Sequence, residues 1–273
     1  MKALTQEQWA PYHHEVLSRL TAIGQSVDGV RTHQAGIQYT SLMSCFLMHN
    51  VSGARSLLAL WDSSGVEWFP VTSGYMIARS MFEVDVNAHY ITKSPEERSR
   101  QYILFEYVLQ KRSMDACSKH RFSKNQSWCD AMELEWKAKW EKRENEVNAK
   151  FAEVEQLFKT NGKSGKLFKN WSGKSIWQLA EDVNHVEAYE TFYSELSSFI
   201  HADVNMANRF LRQQPDGPFW TQRANWYDVG EVLHDASSFL SCFLKLFGAQ
   251  FGVWNDKDID ACWDVEPSQS KLA

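Results

Sequence analysis

Between Gly74 and Gly162 the chain contains no glycine, and its only proline there is Pro95. A stretch of that length without the two strongest breakers of regular backbone argues against a turn-rich β architecture and favours long helices. Hairpin signals are also missing. No Asn-Gly or Asp-Gly stands between alternating strands, and Asp28-Gly29 and Asn161-Gly162 sit beside helical patterns and read as helix ends. The five cysteines, Cys45, Cys117, Cys129, Cys242 and Cys262, are odd in number and include no C-x-x-C pair. That spacing excludes a zinc knuckle and a disulfide framework, and it predicts reduced, mostly buried thiols in a cytoplasmic protein. No apolar run approaches the length of a membrane span. The opening MKALTQEQWAPYHHEV lacks the apolar stretch of a secretory signal. The expectation is a cytoplasmic protein without a membrane contact, in which the sequon Asn170-Trp171-Ser172 carries no meaning. An excess of basic charge is lacking too: the formal net charge is -5, which disfavours a protein that coats nucleic acid nonspecifically.

What the chain does have is apolar material. Hydrophobic residues make up 44% of its 273 positions and aromatics 14%, enough for a full core. The apolar periodicity predicts an all-α, multi-helix bundle forming a single domain over 1–273. It has an N-terminal helix within 1–30, a core over 35–250 and a tail from 251 to 273. The first helix spans Thr5 to Ile23 and ends at Gly24. The second spans His33 to Trp61, with Gly53 as the place of a kink and Asp62-Ser63-Ser64-Gly65 as its stop. The third spans Val71 to Thr92. Ser94-Pro95-Glu96-Glu97 opens the fourth, with Ser94 at the N-cap, Pro95 in the first turn and Glu97 at the third position. Further helices are expected over Glu187–Leu211, closed by Pro215, Gly217 and Pro218, and over Tyr227–Phe247. Asp130 to Lys159 differs: eight acidic and six basic residues alternate around a sparse apolar set, Trp136, Trp140, Val147, Phe151, Val154 and Phe158. This reads as an exposed helix with one packing seam, part of a long projecting charged arm at about 120–160.

Two polar lines stand on otherwise apolar helices. Tyr193, Ser197, His201, Asn205 and Arg209 recur every four residues, and so do Arg79, Glu83 and Asn87. Residues four apart share a helix face, and charge on a buried face is costly unless paired. The lines are therefore expected to meet. His201, Arg79, Glu83, Ser197 and Tyr193 are the candidate catalytic set, and the plain alternative is a buried network that fixes helix register. Between Gln156 and Ala180 there are five lysines and no acid. Lys163, Lys166, Lys169 and Lys174 are the candidate nucleic-acid contacts there, against the alternative of a solvated loop. Ser172-Gly173-Lys174-Ser175 ends like a P-loop, but Phe168 stands where that motif needs glycine, so a nucleotide site is rejected. Glu83, Asp85, His89, His201, Asp203, His234 and Asp235 could offer metal ligands. Only Glu231–His234 has the Glu-x-x-His spacing of helical di-metal sites and it has no counterpart, so neither a metal nor another cofactor is expected. There is no G-x-S-x-G and no cysteine in an activating context.

Two blocks of sequence carry a resemblance. The first is Ala78-Arg79-Ser80-Met81-Phe82-Glu83, Asn87, Tyr90-Ile91 and Ser94-Pro95-Glu96-Glu97-Arg98. The second is Trp171-Ser172-Gly173-Lys174-Ser175-Ile176, Tyr189, Tyr193, Leu196-Ser197 and His201. In that order they resemble the prokaryotic domain-of-unknown-function family 5677 over roughly 35 to 250. The resemblance implies an all-helical fold and a prokaryotic or phage source, and it implies no activity. A looser similarity links His201 to the helical HEPN ribonucleases, which carry R-N-x-x-x-H on one helix. Leu196 stands here where that motif has arginine and Ser197 where it has asparagine, so the positive charge would have to come from Arg79. The expected function is a cytoplasmic helical effector of prokaryotic antiviral defence or stress response, acting on RNA as a metal-independent HEPN-like ribonuclease. The alternative is a non-catalytic interaction or scaffold protein that binds a protein partner, or a second copy as a homo-oligomer, through residues 130–159.

Overall fold

The computed structural model describes residues 4–122, 126–160, 166–194, 197, 211–214, 217–220 and 223–266. The chain is an all-α multi-helix bundle. It divides into two compact units, one formed by Met1–Lys93 with Ile176–Ala273 and the other by Ser94–Ser175.

The first unit is built on its last long helix. In chain order it holds α1 (Gln6–Gln25), α2 (Ile37–Ser64) and α3 (Val71–Thr92). After the second unit come α7 (Ile176–Asp182) and α8 (Val186–Ala188), which runs into a π-helical turn over Tyr189–Tyr193. Then follow α9 (Trp226–Phe251) and the short α10 (Asp256–Asp260). Both ends of α9 are set by sequence. The Asn225 side chain accepts from the backbone N–H of Asp228 at 2.8 Å, and Gly252 closes the helix in the left-handed region at φ 66°. Val229, Val232, Leu233, Ala236, Phe239, Leu240, Phe243, Leu244 and Phe247 are buried along it. Their three- and four-residue steps make a stripe broad enough to take α1, α2 and α3 around it.

Two glycines that read as a helix end and a kink are also packing positions. Gly24 lies inside α1, and a Cβ there would come within 2.5 Å of Val51 on α2. Gly53 lies inside an unbroken α2, where a Cβ would come within 3.1 Å of the Met81 sulfur on α3. Both let helices approach closely, which a local reading of glycine as punctuation does not anticipate. The cysteines are all unpaired, as expected. Only Cys117 and Cys262 are buried, however, while Cys45 and Cys242 are exposed.

The expected Glu187–Leu211 helix is helical in its described part as far as Ser194 and again at Ser197. Leu211 is already in a strand. Leu211–Gln214 and Gly217–Trp220 form an antiparallel pair, with Leu211 opposite Trp220 and Gln214 opposite Gly217. The strand pair was not foreseen. Its signal is Pro215-Asp216-Gly217, which reads equally as a helix stop and as turn chemistry.

The second unit contains α4 (Pro95–His120), α5 (Gln126–Glu135) with a π-helical turn at Trp136–Trp140, and α6 (Glu144–Val154) with a short 3-10 turn at Glu155–Phe158. Where one continuous helix was expected, the chain is interrupted after Trp140. Glu141, Lys142 and Arg143 are all exposed, so no packing holds that turn in the helix. The expected seam is real: Trp136, Trp140 and Val147 join Met114 and Cys117 of α4 in a small core. The charges pair along the helices, as in Lys137–Glu133 at 3.4 Å and Lys150–Glu153 at 3.3 Å. Such exposed pairs contribute little each. No helix among the described residues is long and apolar enough to cross a membrane.

Candidate functional site

Four of the five residues proposed for the site meet. On α3, Arg79 and Glu83 are one turn apart, and Arg79 Nε lies 3.0 Å from Glu83 Oε1. The remaining contacts come from the segment beyond α8. The guanidinium donates to the Tyr193 hydroxyl at 2.7 Å and to Ser197 Oγ at 3.3 Å. The Tyr193 hydroxyl donates onward to Glu83 Oε1 at 2.8 Å. Tyr193 and Ser197, four residues apart, therefore face the same arginine, as their spacing predicts. His201, the fifth member, lies outside the described residues, as do Asp203, Asn205 and Arg209.

The Tyr193 ring is buried between Phe82 and Tyr189, at centroid distances of 5.3 and 4.9 Å. The Arg79 guanidinium carbon also sits 4.7 Å from its centroid. Burial raises the phenol above its usual range; the charge of Glu83 and the bond to it add to this, and Arg79 partly opposes it. Tyr193 is thus held as a proton donor. The hydrogen bonds to Glu83, Tyr193 and Ser197 use three of the five N–H donors of Arg79 among the described residues. Arg79 is mostly covered, its side chain 17% exposed, while Glu83 reaches solvent at 41%.

A second cluster was not anticipated as a unit. Asp85, further along α3 and buried, faces two imidazoles. Its Oδ1 lies 3.2 Å from His89 Nδ1 and its Oδ2 lies 3.4 Å from His185 Nδ1. The two rings stand 4.7 Å apart. Burial pushes the Asp85 carboxyl up, but bonds to His185 and His89 and their charge outweigh it, so it lies below the usual carboxylate range. Burial pulls His89 down, while its bonds to Asp85 and the charge there more than compensate and raise it. The Asp85–His89 spacing was visible in the sequence, but His185 was not singled out. It follows Asn184, whose φ of 61° ends α7 in the left-handed region. Asn184 N–H bonds the Glu181 carbonyl at 3.2 Å, and His185 N–H bonds that of Ala180 at 2.8 Å. This helix-closing motif turns the chain so that His185 meets α3. No periodicity signals such a contact.

Among the described residues, Glu231 and His234 belong to no cluster of three metal-ligating side chains. Glu231 accepts from the Tyr75 hydroxyl at 3.0 Å, and His234 stacks on Trp9 at 5.4 Å. Both line a cavity of about 220 Å³ with Trp9, Tyr75, Phe192 and Tyr227.

The candidate lysines belong to the second unit. Lys163 lies outside the described residues. Lys166 and Lys169 are exposed and Lys174 is half-buried. The backbone that carries them is pinned: Thr160 N–H bonds the Lys166 carbonyl at 2.9 Å, and Arg112 donates to the carbonyls of Phe168 and Lys169. Gly173 has φ 71°, and a Cβ there would come within 3.0 Å of the Phe168 ring. The P-loop-like tail is therefore a tight turn over Phe168.

Among curated proteins and among solved structures, nothing matches the chain. One family does match, over residues 40–218, which takes in α3, the second unit and the segment that carries Tyr193 and Ser197 and leaves α9 outside. With that match covering well over half of its length, the chain belongs to the family of unknown function DUF5677.

Proposed function

We propose that the protein is an RNA-directed helical effector of prokaryotic defence or stress response, with its site at Arg79, Glu83, Tyr193, Ser197 and His201. The observation that carries this reading is the fixing of Arg79. Three side chains hold its guanidinium in one orientation, and among the described residues two of its N–H donors are not used by them. A positioned arginine of that kind stabilises the charge of a phosphodiester in its transition state. Ser197 precedes His201 by four residues in sequence, so a general base on the same polar line would act beside it. Arg79 then supplies from α3 the charge that Leu196 cannot.

The test is cleavage of labelled single-stranded RNA by the purified protein in the presence of a chelator. Wild type is expected to cleave. His201→Ala is expected to lose on the order of 100-fold or more, and Arg79→Lys, which keeps the charge but not the fork, a comparable factor, with unchanged helical circular dichroism. Absence of cleavage by wild type, or equal cleavage by all three, rejects the reading.

A second reading, association through the charged region of the second unit, is favoured by the exposure of Phe122 (76%), Trp128 (51%) and Leu134 (71%) there. Where such side chains join into one apolar patch, the patch marks a contact surface. A second copy of the chain is the proposed occupant. Light scattering of wild type beside Leu134→Glu decides it: a dimer that the substitution dissociates supports association, and a monomer at all concentrations rejects it.

A further inference from the structure

We propose that Asp85, His89 and His185 form a binding site for one divalent transition-metal cation of the zinc class, separate from the Arg79 site. The three residues offer donor atoms that all lie within 4.8 Å of one another. Zinc takes imidazole nitrogen and carboxylate oxygen at about 2.0–2.2 Å, so two ligands on one tetrahedral ion stand roughly 3.3–3.5 Å apart. His89 Nδ1 lies 3.2 Å from Oδ1 and His185 Nδ1 lies 3.4 Å from Oδ2, so each imidazole is within reach of an ion held by the carboxylate.

The state of the carboxylate points the same way. Asp85 is 1% exposed, so its carboxylate meets the two imidazoles away from water. His89 Nδ1 lies at hydrogen-bond distance, 3.0 Å, from the Asp85 backbone carbonyl as well. Two imidazoles turn to one buried carboxylate, with rings 4.7 Å apart, which is one ring more than a simple ion pair uses. The ligand set also limits the ion: two nitrogens and one carboxylate suit zinc, cobalt, nickel or iron rather than magnesium or calcium, which take oxygen. Three protein ligands leave a fourth position for water or another small ligand.

The two outer ligands are well placed to be tested. His185 lies at a helix end and is about one-fifth exposed, as is His89, so His185→Gln should fold. The experiment uses the untagged full chain, stripped with a chelator and dialysed, and titrated by calorimetry with Zn²⁺ and separately with Mg²⁺. One equivalent of Zn²⁺ is expected to bind and to raise the melting temperature, with Mg²⁺ inert. Co²⁺ should give the visible absorption of a tetrahedral site. His185→Gln should weaken Zn²⁺ binding by at least the roughly 100-fold at the upper end of what loss of an outer-shell partner costs. His120→Gln, a substitution in the second unit, should change nothing. A wild type that takes up no stoichiometric Zn²⁺, or one whose uptake His185→Gln leaves intact while His120→Gln reduces it, overturns the site. Because the RNA assay is run in chelator, loss of this site leaves that reading standing, and the converse also holds.

Discussion

The hydroxyl of Tyr193 donates to Oε1 of Glu83 over 2.8 Å, joining residues 110 apart in the chain. The same hydroxyl accepts from Arg79, so one oxygen ties both charged groups of α3 to the segment beyond α8.

Tyr193→Phe removes that oxygen and keeps the ring. Arg79 and Glu83 remain paired with each other, but each loses one partner. A hydrogen bond to a charged group contributes about 1.5–3 kcal/mol, and Tyr193 is 5% exposed. Urea denaturation should show a loss at the lower end of that range. Glu83→Gln, at a position open to solvent, should cost less. A neutral Tyr193→Phe would mean that the network does not hold the two elements together.

His13 makes stability depend on pH. It is buried against Trp9, Tyr12, His234 and Trp263, with His234 in turn beside Asp235. Burial, and secondarily the charge of His234, lowers it to about 3. Its folded value lies below the unfolded one, so its contribution is present above pH 6.5 and lost as pH falls toward 3. Between those limits the unfolded chain binds the extra proton, and stability should fall by about 1.4 kcal/mol per pH unit on account of this group. Denaturant titrations at pH 7, 6, 5 and 4 should show that slope in wild type relative to His13→Phe. Parallel profiles for the two proteins would contradict the burial of a neutral imidazole.

Gly230 lies in the second turn of α9, inside a helix where glycine is unfavourable by about 1 kcal/mol relative to alanine. The Trp9 ring explains it: a Cβ at Gly230 would fall 1.9 Å from Trp9 Cδ1. Gly230→Ala should therefore destabilise despite the better helix propensity, by about 1–3 kcal/mol as for other overpacked contacts. Thermal unfolding should report it, and Trp9→Leu in the same chain should relieve part of the loss.

Trp140 is 1% exposed in the small core of the second unit. Trp140→Ala should cost about 3–5 kcal/mol. Hydrogen exchange should show the loss concentrated in residues 94–175. Trp140→Phe should cost much less, since the indole N–H has no acceptor among the described residues.

The helices were legible because their signals are local. The spacing over Val71–Thr92 and the Ser94-Pro95 start give α3 and α4 at the expected places. The four-residue step of Tyr193 and Ser197 places both on one arginine. The packing role of Gly24 and Gly53, which let another helix approach, left no local signal. The strand pair at Leu211–Trp220 was missed because Pro215-Asp216-Gly217 serves a helix stop and a hairpin turn alike.

From its order of residues alone, this chain determines that it is helical, which helix faces are apolar and which polar residues share a face. Those properties follow from a 3.6-residue period that acts within one element. Only the tertiary structure decides which faces meet. It brings Tyr193 to Arg79, seats Trp9 over Gly230 and turns His185 toward Asp85. Such contacts join residues a hundred or more positions apart, and they are selected by packing and by pairing of buried charge, neither of which leaves a spacing in the sequence.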